Sequence, residues 1–542
     1  VNQRSIILIG VALVIAYVLA YTLGVRWDMT EDKRYSVHDH TKALVRSLDA
    51  PMTMEIALDG DLNAGFSRLR KATVELGEEL TSLSRYFQVQ PIASSPERDS
   101  VFVSKGLVPT VIHERTQDGR TAQMQVWPYA VLTYKGRVAY VSLLQNNRGK
   151  SGEQNLNESI ENLEYALAEN IHLLTQTQAP KIAFIEGHGE LPERAVYDIS
   201  MSLARYFQID RGSLTNDPTM LDGYKVVIIA DPQLPFSEKD KYILDQYVMH
   251  GGRILWLVNG IRLSQEVLSK EGYTPVIPLD VNISDLLFSY GIRINPTLIE
   301  DVQCLPIPVN VSADEAHPNY QPVPWYYAPL LLTSQQSSIT RNVGQVSCSF
   351  VSHIDAVGKD SIHKEILLAT STASKVIATP AEVDLGDLNP DLTLFRWQYV
   401  PVGVCLSGIF PSAFHHRMAP EGIVAHQPYT QSIPTKQIVV ASGSVIRNEW
   451  QQGQPLPVGY DRYSGMQFGN RDFLTNAVLY LADDMGLIEL RQKEVALRLI
   501  NDRRAHQQHL KIQIVSVIAP ILLLALTGLI MAIIRHRKYI RL

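Results

Sequence analysis

The sequence predicts an α/β protein in which two terminal transmembrane helices flank a large extracytoplasmic region. That region holds a first α/β domain and a second domain built on a parallel sheet. Three observations carry this. The chain ends in 23 residues without a charge, Ile512 to Ile534, followed by Arg535, His536, Arg537, Lys538 and Arg541. It starts with 21 uncharged residues, Ser5 to Val25, set between Arg4 and Arg26. Between the two, short apolar runs alternate with amphipathic stretches, the pattern of a sheet covered on both faces.

As a helix, Ile512 to Ile534 would extend roughly 34 Å, enough for a bilayer core of about 30 Å. Pro520 lies inside it, where a kink is tolerated. For Ser5 to Val25 the competing reading is a secretory signal peptide, with Val18 and Ala20 at a small-residue cleavage site. The length of the apolar run and the single preceding Arg4 favour an uncleaved span. Two spans put both termini on one side, and the basic cluster after Ile534 places that side in the cytoplasm. In a bacterium this describes a two-pass inner-membrane protein with its bulk in the periplasm. The expected division is 1–25 N-terminal span, 26–179 first domain, 180–486 second domain, 487–511 helical stem, 512–534 second span and 535–542 basic tail.

Within the first domain, Ser36 reads as the N-cap of a helix ending near Leu48, and Met52 to Leu58 as a strand. Phe66 to Phe87 reads as a long helix with Leu69, Thr73, Leu76, Leu80 and Leu83 on one face. Asp118-Gly119 and Lys135-Gly136 are turns between the runs Thr121 to Tyr134 and Arg137 to Leu144. Asn155 to Gln176 reads as another helix. In the second domain, Lys181 to Glu186, Lys225 to Ala230 and Arg253 to Val258 are apolar strands. Helices from Glu193 to Tyr206 and from Glu238 to His250 lie between them. Pro306 to Gly344 is proline-rich and reads as an irregular excursion. Val402 to Phe410 and Lys436 to Ala441 add late strands, and Arg471 to Met485 a helix leading to the stem.

Net charge is −6, from 49 basic and 55 acidic residues, and no basic stretch is interleaved with aromatics, so nucleic acid is not an expected partner. The three cysteines, Cys304, Cys348 and Cys405, are far apart and have no metal spacing. Buried thiols are expected, with disulfide pairing left open. Glu186-Gly187-His188-Gly189-Glu190 follows a strand and precedes a helix, where open α/β sheets place their sites. It contains an acid and a base, yet it matches neither a P-loop nor G-x-G-x-x-G. The favoured reading is a tight turn with His188 and Glu190 hydrogen-bonded locally. Cys405 sits in an apolar run as core, and Ser442-Gly443-Ser444 lacks the flanks of a nucleophile elbow. His38-Asp39-His40 and His415-His416 read as surface histidines. No catalytic, cofactor or metal residues are assigned, and the head is read as non-enzymatic.

Four motifs carry a family resemblance. They are Asp28-Met29-Thr30 with Lys33-Arg34-Tyr35-Ser36, the strand-turn KIAFIEGHGE from Lys181 to Glu190, Gly408-Ile409-Phe410-Pro411-Ser412 with Phe414 and Arg417, and Phe468-Gly469-Asn470-Arg471-Asp472-Phe473 with Asn476. Their order and the terminal spans resemble the gliding-motility-associated ABC-transporter substrate-binding (auxiliary) protein family, GldG, over nearly the whole chain. The resemblance implies a subunit working with a polytopic permease and a cytoplasmic ATPase. It also implies a second domain similar to class I glutamine amidotransferase-like folds and to a domain of intraflagellar transport proteins. The cysteine-histidine pair of the amidotransferases is not recognisable here, and no ligand residues are carried over. On this reading the partners are the permease, the ATPase, the lipid bilayer and a periplasmic ligand or protein of unknown identity. The alternative is a membrane-anchored periplasmic hydrolase or amidotransferase-like enzyme.

Overall fold

The structure, a computed structural model, describes residues 37–60, 62–92, 94–115, 121–145, 151–310, 319–358, 361–388, 390–423, 428–484, 486, 488, 490 and 509–539. The Ser5 to Val25 span, Ser36, the Asp118-Gly119 turn and most of the stem lie outside these. The chain forms two compact units, Tyr35–Lys493 and the pair Val1–Arg34 with Glu494–Leu542.

The larger unit contains two lobes, each with its own sheet. In the N-terminal lobe, β1 (Met52–Ile56), β2 (Phe87–Pro91), β5 (Tyr129–Tyr134) and β6 (Arg137–Ser142) form a sheet in the order β2-β1-β5-β6. β3 (Thr110–Arg115) and β4 (Thr121–Val126) form a separate hairpin. α1 (Asp39–Arg46) opens the lobe, and Glu164 holds its first turn by accepting from the His38 amide at 2.7 Å and the Thr41 hydroxyl at 2.9 Å. A carboxylate there also opposes the positive end of the helix dipole. α2 (Ala64–Leu83) buries Phe66, Leu69, Thr73, Gly77 and Leu80, the face its spacing predicts.

Three expected boundaries shift for local reasons. α2 stops at Leu83 because Ser84 turns extended, so Phe87 begins a strand. The expected helix Asn155 to Gln176 is two, α3 (Gly152–Glu161) and α4 (Leu163–Thr175). At their junction the Asn162 side chain donates to the Glu158 carbonyl at 2.9 Å, competing with the helical ladder. The run Thr121 to Tyr134 breaks at Trp127-Pro128, where proline supplies no ladder donor.

The main lobe is a ten-stranded sheet. Its strands are β7 (Lys181–Glu186), β8 (Gln208–Ser213), β9 (Val226–Ala230), β10 (Ile254–Leu257), β11 (Cys304–Asn310), β12 (Tyr320–Thr333), β13 (Ile362–Ala369), β14 (Pro401–Gly408) and β15 (Thr435–Val440). The order is β11-β12-β13-β14-β15-β10-β9-β7-β8, and Val346–Ser347 also pairs with β12. Only the β8-β7-β9-β10-β15 half is parallel. From β15 outward through β14 and β13 the pairing is antiparallel, which corrects the expected parallel sheet. α5 (Tyr197–Leu203) lies between β7 and β8 and α6 (Glu238–Met249) between β9 and β10, whereas no α-helix lies between β13 and β14, or between β14 and β15, among the described residues. Without a helical crossover such neighbours pair antiparallel. β9 and β10 are buried along their whole length, as strands covered on both faces must be.

The proline-rich stretch is likewise not an irregular excursion. β11 and β12 pair with Pro306 opposite Pro324 and Pro308 opposite Pro322. These are positions where an antiparallel ladder asks neither residue for an N–H, and β11 is an edge strand.

α7 (Asn470–Ala482) closes the main lobe, and basic side chains gather at its carboxyl end. Arg253 donates to the Leu481 carbonyl at 2.7 Å, and Lys436 approaches the Tyr480 and Asp483 carbonyls. The chain then returns to the N-terminal lobe. Ile488 and Leu490 are buried in the same core as Val37, Leu44, Met52 and Leu132. The main lobe is therefore inserted within the N-terminal lobe.

In the smaller unit, α8 (His509–Tyr539) contains a 22-residue segment, Ser516–Arg537, with mean hydropathy 2.8. It is long and apolar enough to cross a membrane, and none of it is buried. The Thr527 hydroxyl donates to the Leu523 and Leu524 carbonyls, so even its polar atom is satisfied within the helix.

Leu490→Ala should destabilise the N-terminal lobe by about 2–5 kcal/mol, the usual cost of such a cavity. Hydrogen exchange at β1 and β5 amides should accelerate while exchange at β9 and β10 stays slow.

Candidate functional site

In chain order the parallel half reads 2-1-3-4-5, so the topological switch point lies between β7 and β9, at their carboxyl ends. Open α/β sheets place ligands there. In this protein the loops at that edge fill the place with their own side chains.

After β7, Gly187 and Gly189 take left-handed φ values of 119° and 73° and wrap the chain around His188. The His188 amide donates to Glu190 Oε2 at 2.7 Å, and its carbonyl accepts from the Gln233 and Leu234 amides, both at 2.8 Å. The ring stacks on Phe236 with centroids 3.7 Å apart. Its Nδ1 meets Glu190 Oε1 at 3.0 Å and its Nε2 meets Asp240 Oδ2 at 3.2 Å. Burial disfavours the charged ring, but the Asp240 and Glu190 carboxylates outweigh it and raise its pKa to about 9. Asp240 is the N3 residue of the Ser237 capping box of α6 (Glu238–Met249). Its own pKa stays low because the hydrogen bonds from His188 and Ser237 overcome its burial. With both ring nitrogens donating, this imidazolium has no lone pair for a general base. It pins the β7 loop to α6.

After β9, Asp231 is buried and left-handed, with φ 58°. Its Oδ1 accepts from Asn259 Nδ2 at 2.6 Å and Gln233 Nε2 at 2.9 Å, and Arg447 Nη2 lies 4.0 Å from Oδ2. Burial pushes its pKa up to about 6, against the Arg447 charge and these bonds. Asn259 Oδ1 in turn accepts from the Gly443 amide at 2.9 Å. A Cβ on Gly443 would sit 2.3 Å from the Asp231 side chain, so only glycine lets this loop close over the carboxylate. The ends of β9, β10 and β15 are thereby tied together. A hollow of about 160 Å³ remains beside them, lined in part by Asn259, Gly260, Asp280, Ser284, Leu287 and Arg293. It is smaller than the roughly 300–1,000 Å³ of ordinary small-molecule pockets.

The other residues singled out from sequence fall elsewhere. Cys405 is buried in β14, with a thiol pushed up to about 12 by burial, and Cys304 and Cys348 are also free thiols. Ser442 and Ser444 bond each other at 2.8 Å, and Ser444 Oγ accepts from the Ser349 amide. His38 and His40 stack at the start of α1, and the rings of His415 and His416 lie 4.2 Å apart. Among the described residues, no group of three His, Cys, Asp or Glu is placed to hold a metal ion. Sequence reasoning missed Asp231, Asn259 and Arg447. Their one signal was position, since Asp231-Pro232 and Asn259-Gly260 each stand at or just beyond the end of an apolar strand.

The first resembling motif lies outside the described residues, and the two late motifs are fold clamps. Asp245 accepts from Ser412 Oγ at 2.6 Å, the Ala413 amide at 3.0 Å and Tyr290 OH at 2.9 Å, while Phe410 packs on Tyr290. Arg417 reaches Asp285 at 3.0 Å. Asn470 binds Ser347 through both its amide and carbonyl, and Arg471 pairs with Asp198. Asn476 donates to the Ile339 carbonyl at 3.0 Å.

A family described as an ABC-type uncharacterized transport system matches residues 179–477, more than half of the chain. The chain belongs to this ABC-transport auxiliary family. A domain of unknown function (DUF7088) matches residues 31–133. No curated protein matches. Among solved structures, the mmIFT52 N-terminal domain is 17% identical with a TM-score of 0.32, over 56% of this chain and 96% of that one. Family membership supports a transporter-associated auxiliary role, and three of the four motifs fall wholly within the matched span.

The His188 pKa is raised above its unfolded value of 6.5, so its contribution to stability is full below about pH 6.5 and is lost as pH rises through about 9. His188→Gln should remove on the order of 3 kcal/mol at pH 6 and little at pH 10, read as urea midpoints across that range. Asp231 has the opposite consequence. Its raised pKa means ionisation above about pH 6 costs stability, so Asp231→Asn, which tolerates the same left-handed backbone, should raise the thermal midpoint at pH 8.

Proposed function

We propose that the chain is a non-enzymatic, membrane-anchored auxiliary subunit of an ABC transport complex of the gliding-motility-associated, GldG-like kind, working with a permease and a cytoplasmic ATPase. The observation that carries the reading is the family match over residues 179–477 in a chain that ends in an unburied apolar helix. Two further features support it. The sequence has no complete P-loop pattern, so ATP energy comes from another subunit. The edge of the sheet where a small substrate would bind is occupied by His188 and Asp231 and their partners. The head then acts through contacts with other proteins or with an envelope component.

On this proposal the protein crosses the bacterial inner membrane twice, with both termini cytoplasmic and the head periplasmic. Residues 26–179 and 180–486 act as two domains, the second of glutamine amidotransferase-like fold, and 487–511 as a stem. The parallel strand order of the main lobe supports that fold assignment.

Purification from native membrane in mild detergent should bring down a permease and an ATPase in fixed ratio. Recovery of the chain alone, with both subunits present in the membrane, would overturn the assignment. Reporters test topology: a cytoplasm-dependent one after Leu542 and a periplasm-dependent one near Pro318 should both be active. A Gly-Gly-Ser-Gly insertion after Arg504 should leave co-purification intact and abolish function, because a broken stem no longer transmits displacement. Full function would reduce the stem to a tether.

A further inference from the structure

We propose that the hollow beside the carboxyl end of β10 binds a small free amine, a primary ammonium carried on a compact apolar body. It joins a buried apolar floor to an exposed rim on which Asp280 is a carboxylate without a cation. The site needs no transport partner.

Three segments build the floor. Val258 follows β10, Val281 comes shortly after the strand Tyr273–Pro278, and Ile283 and Leu287 belong to the short helix Ser284–Ser289 and its entry. All four side chains are buried. Gly260 lets the wall close, since a Cβ there would lie 2.5 Å from the Asn295 carbonyl oxygen, and Pro296 lines the hollow next to it. The volume of about 160 Å³ is close to the roughly 150 Å³ of an apolar cavity that takes up benzene, so it fits a body of about six heavy atoms.

The rim decides the charge of the guest. Arg293, on the strand Ile292–Ile294, is neutralised by Asp355 at 2.7 Å, and Asp355 also accepts from Asn295 Nδ2 at 2.9 Å. His353 lies 3.7 Å from the same carboxylate, but burial holds its ring below its ordinary pKa and so neutral. Asp285 is taken by Lys241 at 2.8 Å and Arg417 at 3.0 Å, and Arg262 turns to the Gln233 carbonyl. Asp280 is left. Its Oδ1 accepts from the Asn282 amide at 2.8 Å, which fixes the carboxylate, and no Lys, Arg or His among the described residues pairs with it. An anion would meet two carboxylates, Asp280 and Asp355, against one guanidinium. A neutral side chain from a partner protein would desolvate Asp280 and give it nothing in return. A partner's lysine would carry its charge at the wrong end, down among Val281 and Leu287 instead of up in water. A small amine does neither: its body fills the floor while its ammonium stays at the rim and donates to Asp280.

Hydrogen exchange of the full-length protein in detergent, titrated with benzylamine, tests this. Benzylamine should slow exchange in residues 258–260 and 279–287 and leave β7 and β9 unchanged. Asp280→Asn keeps an acceptor for the Asn282 amide and should raise the concentration for half-protection about tenfold, the loss of one charge-assisted hydrogen bond. Benzyl alcohol, which has the shape without the charge, should act on the native protein as weakly as benzylamine acts on that variant, and benzoate should give no protection. Ser284→Tyr, at the exposed rim, should block the hollow and abolish protection, with exchange of β7 and β9 reporting that the fold is kept. Absence of protection at the hollow, equal protection of native and Asp280→Asn protein, benzyl alcohol as potent as benzylamine, or undiminished protection in Ser284→Tyr would each overturn the site.

Discussion

Burial of Ile488 and Leu490 beside Val37 and Leu44 is the constraint on which the head depends. It joins the two ends of the 35–493 body in one hydrophobic core and makes everything between residues 180 and 483 an insertion. At about 1.5–3 kcal/mol for each fully buried aliphatic side chain, these two residues supply a sizeable share of the few kcal/mol by which a lobe of this size is stable. The main lobe does not have the same need. Its strands β9 and β10 lie at the centre of their own large core and would remain buried without the closing strand.

Polar contacts do a different job from the cores. Asp245, Asp231, His188 and Asn470 each bridge elements distant in sequence, and each is buried with its hydrogen bonds made. Such groups stabilise little compared with apolar packing, yet leaving one partner unmade is costly, so they select one arrangement of loops over its neighbours. This accounts for recognisable motifs at positions that join elements of the fold. GIFPSAF and FGNRDF specify joints.

What was legible in the sequence followed from periodicity. β7 matched its predicted bounds, and β9, β10 and α6 shifted by a residue or so at their ends, because runs such as VVIIA permit one reading. The antiparallel half of the sheet was less legible. β12 and β13 carry prolines and charges that resemble loop composition, and their pairing depends on partners tens of residues away. The site was half legible. The two-glycine turn revealed His188 and Glu190, whereas Asp240, fifty residues on, was needed to show why the ring is charged. Asp231 had no motif, only its place after an apolar strand, and the close approach of Gly443 shows only in the fold.

The insertion also sets an order of events during synthesis. A ribosome releases α1, β1, β2, β5 and β6 early, but the residues that complete their core are made about 350 positions later. The main lobe, whose strands are contiguous in the chain, can fold in that interval as domains generally do. The first part of the head to emerge is therefore the last to be finished, and an incomplete chain would present an open apolar core rather than a finished lobe. Completion of the N-terminal lobe thus reports that translation has reached the stem, with the apolar helix of the far terminus the next segment to leave the ribosome.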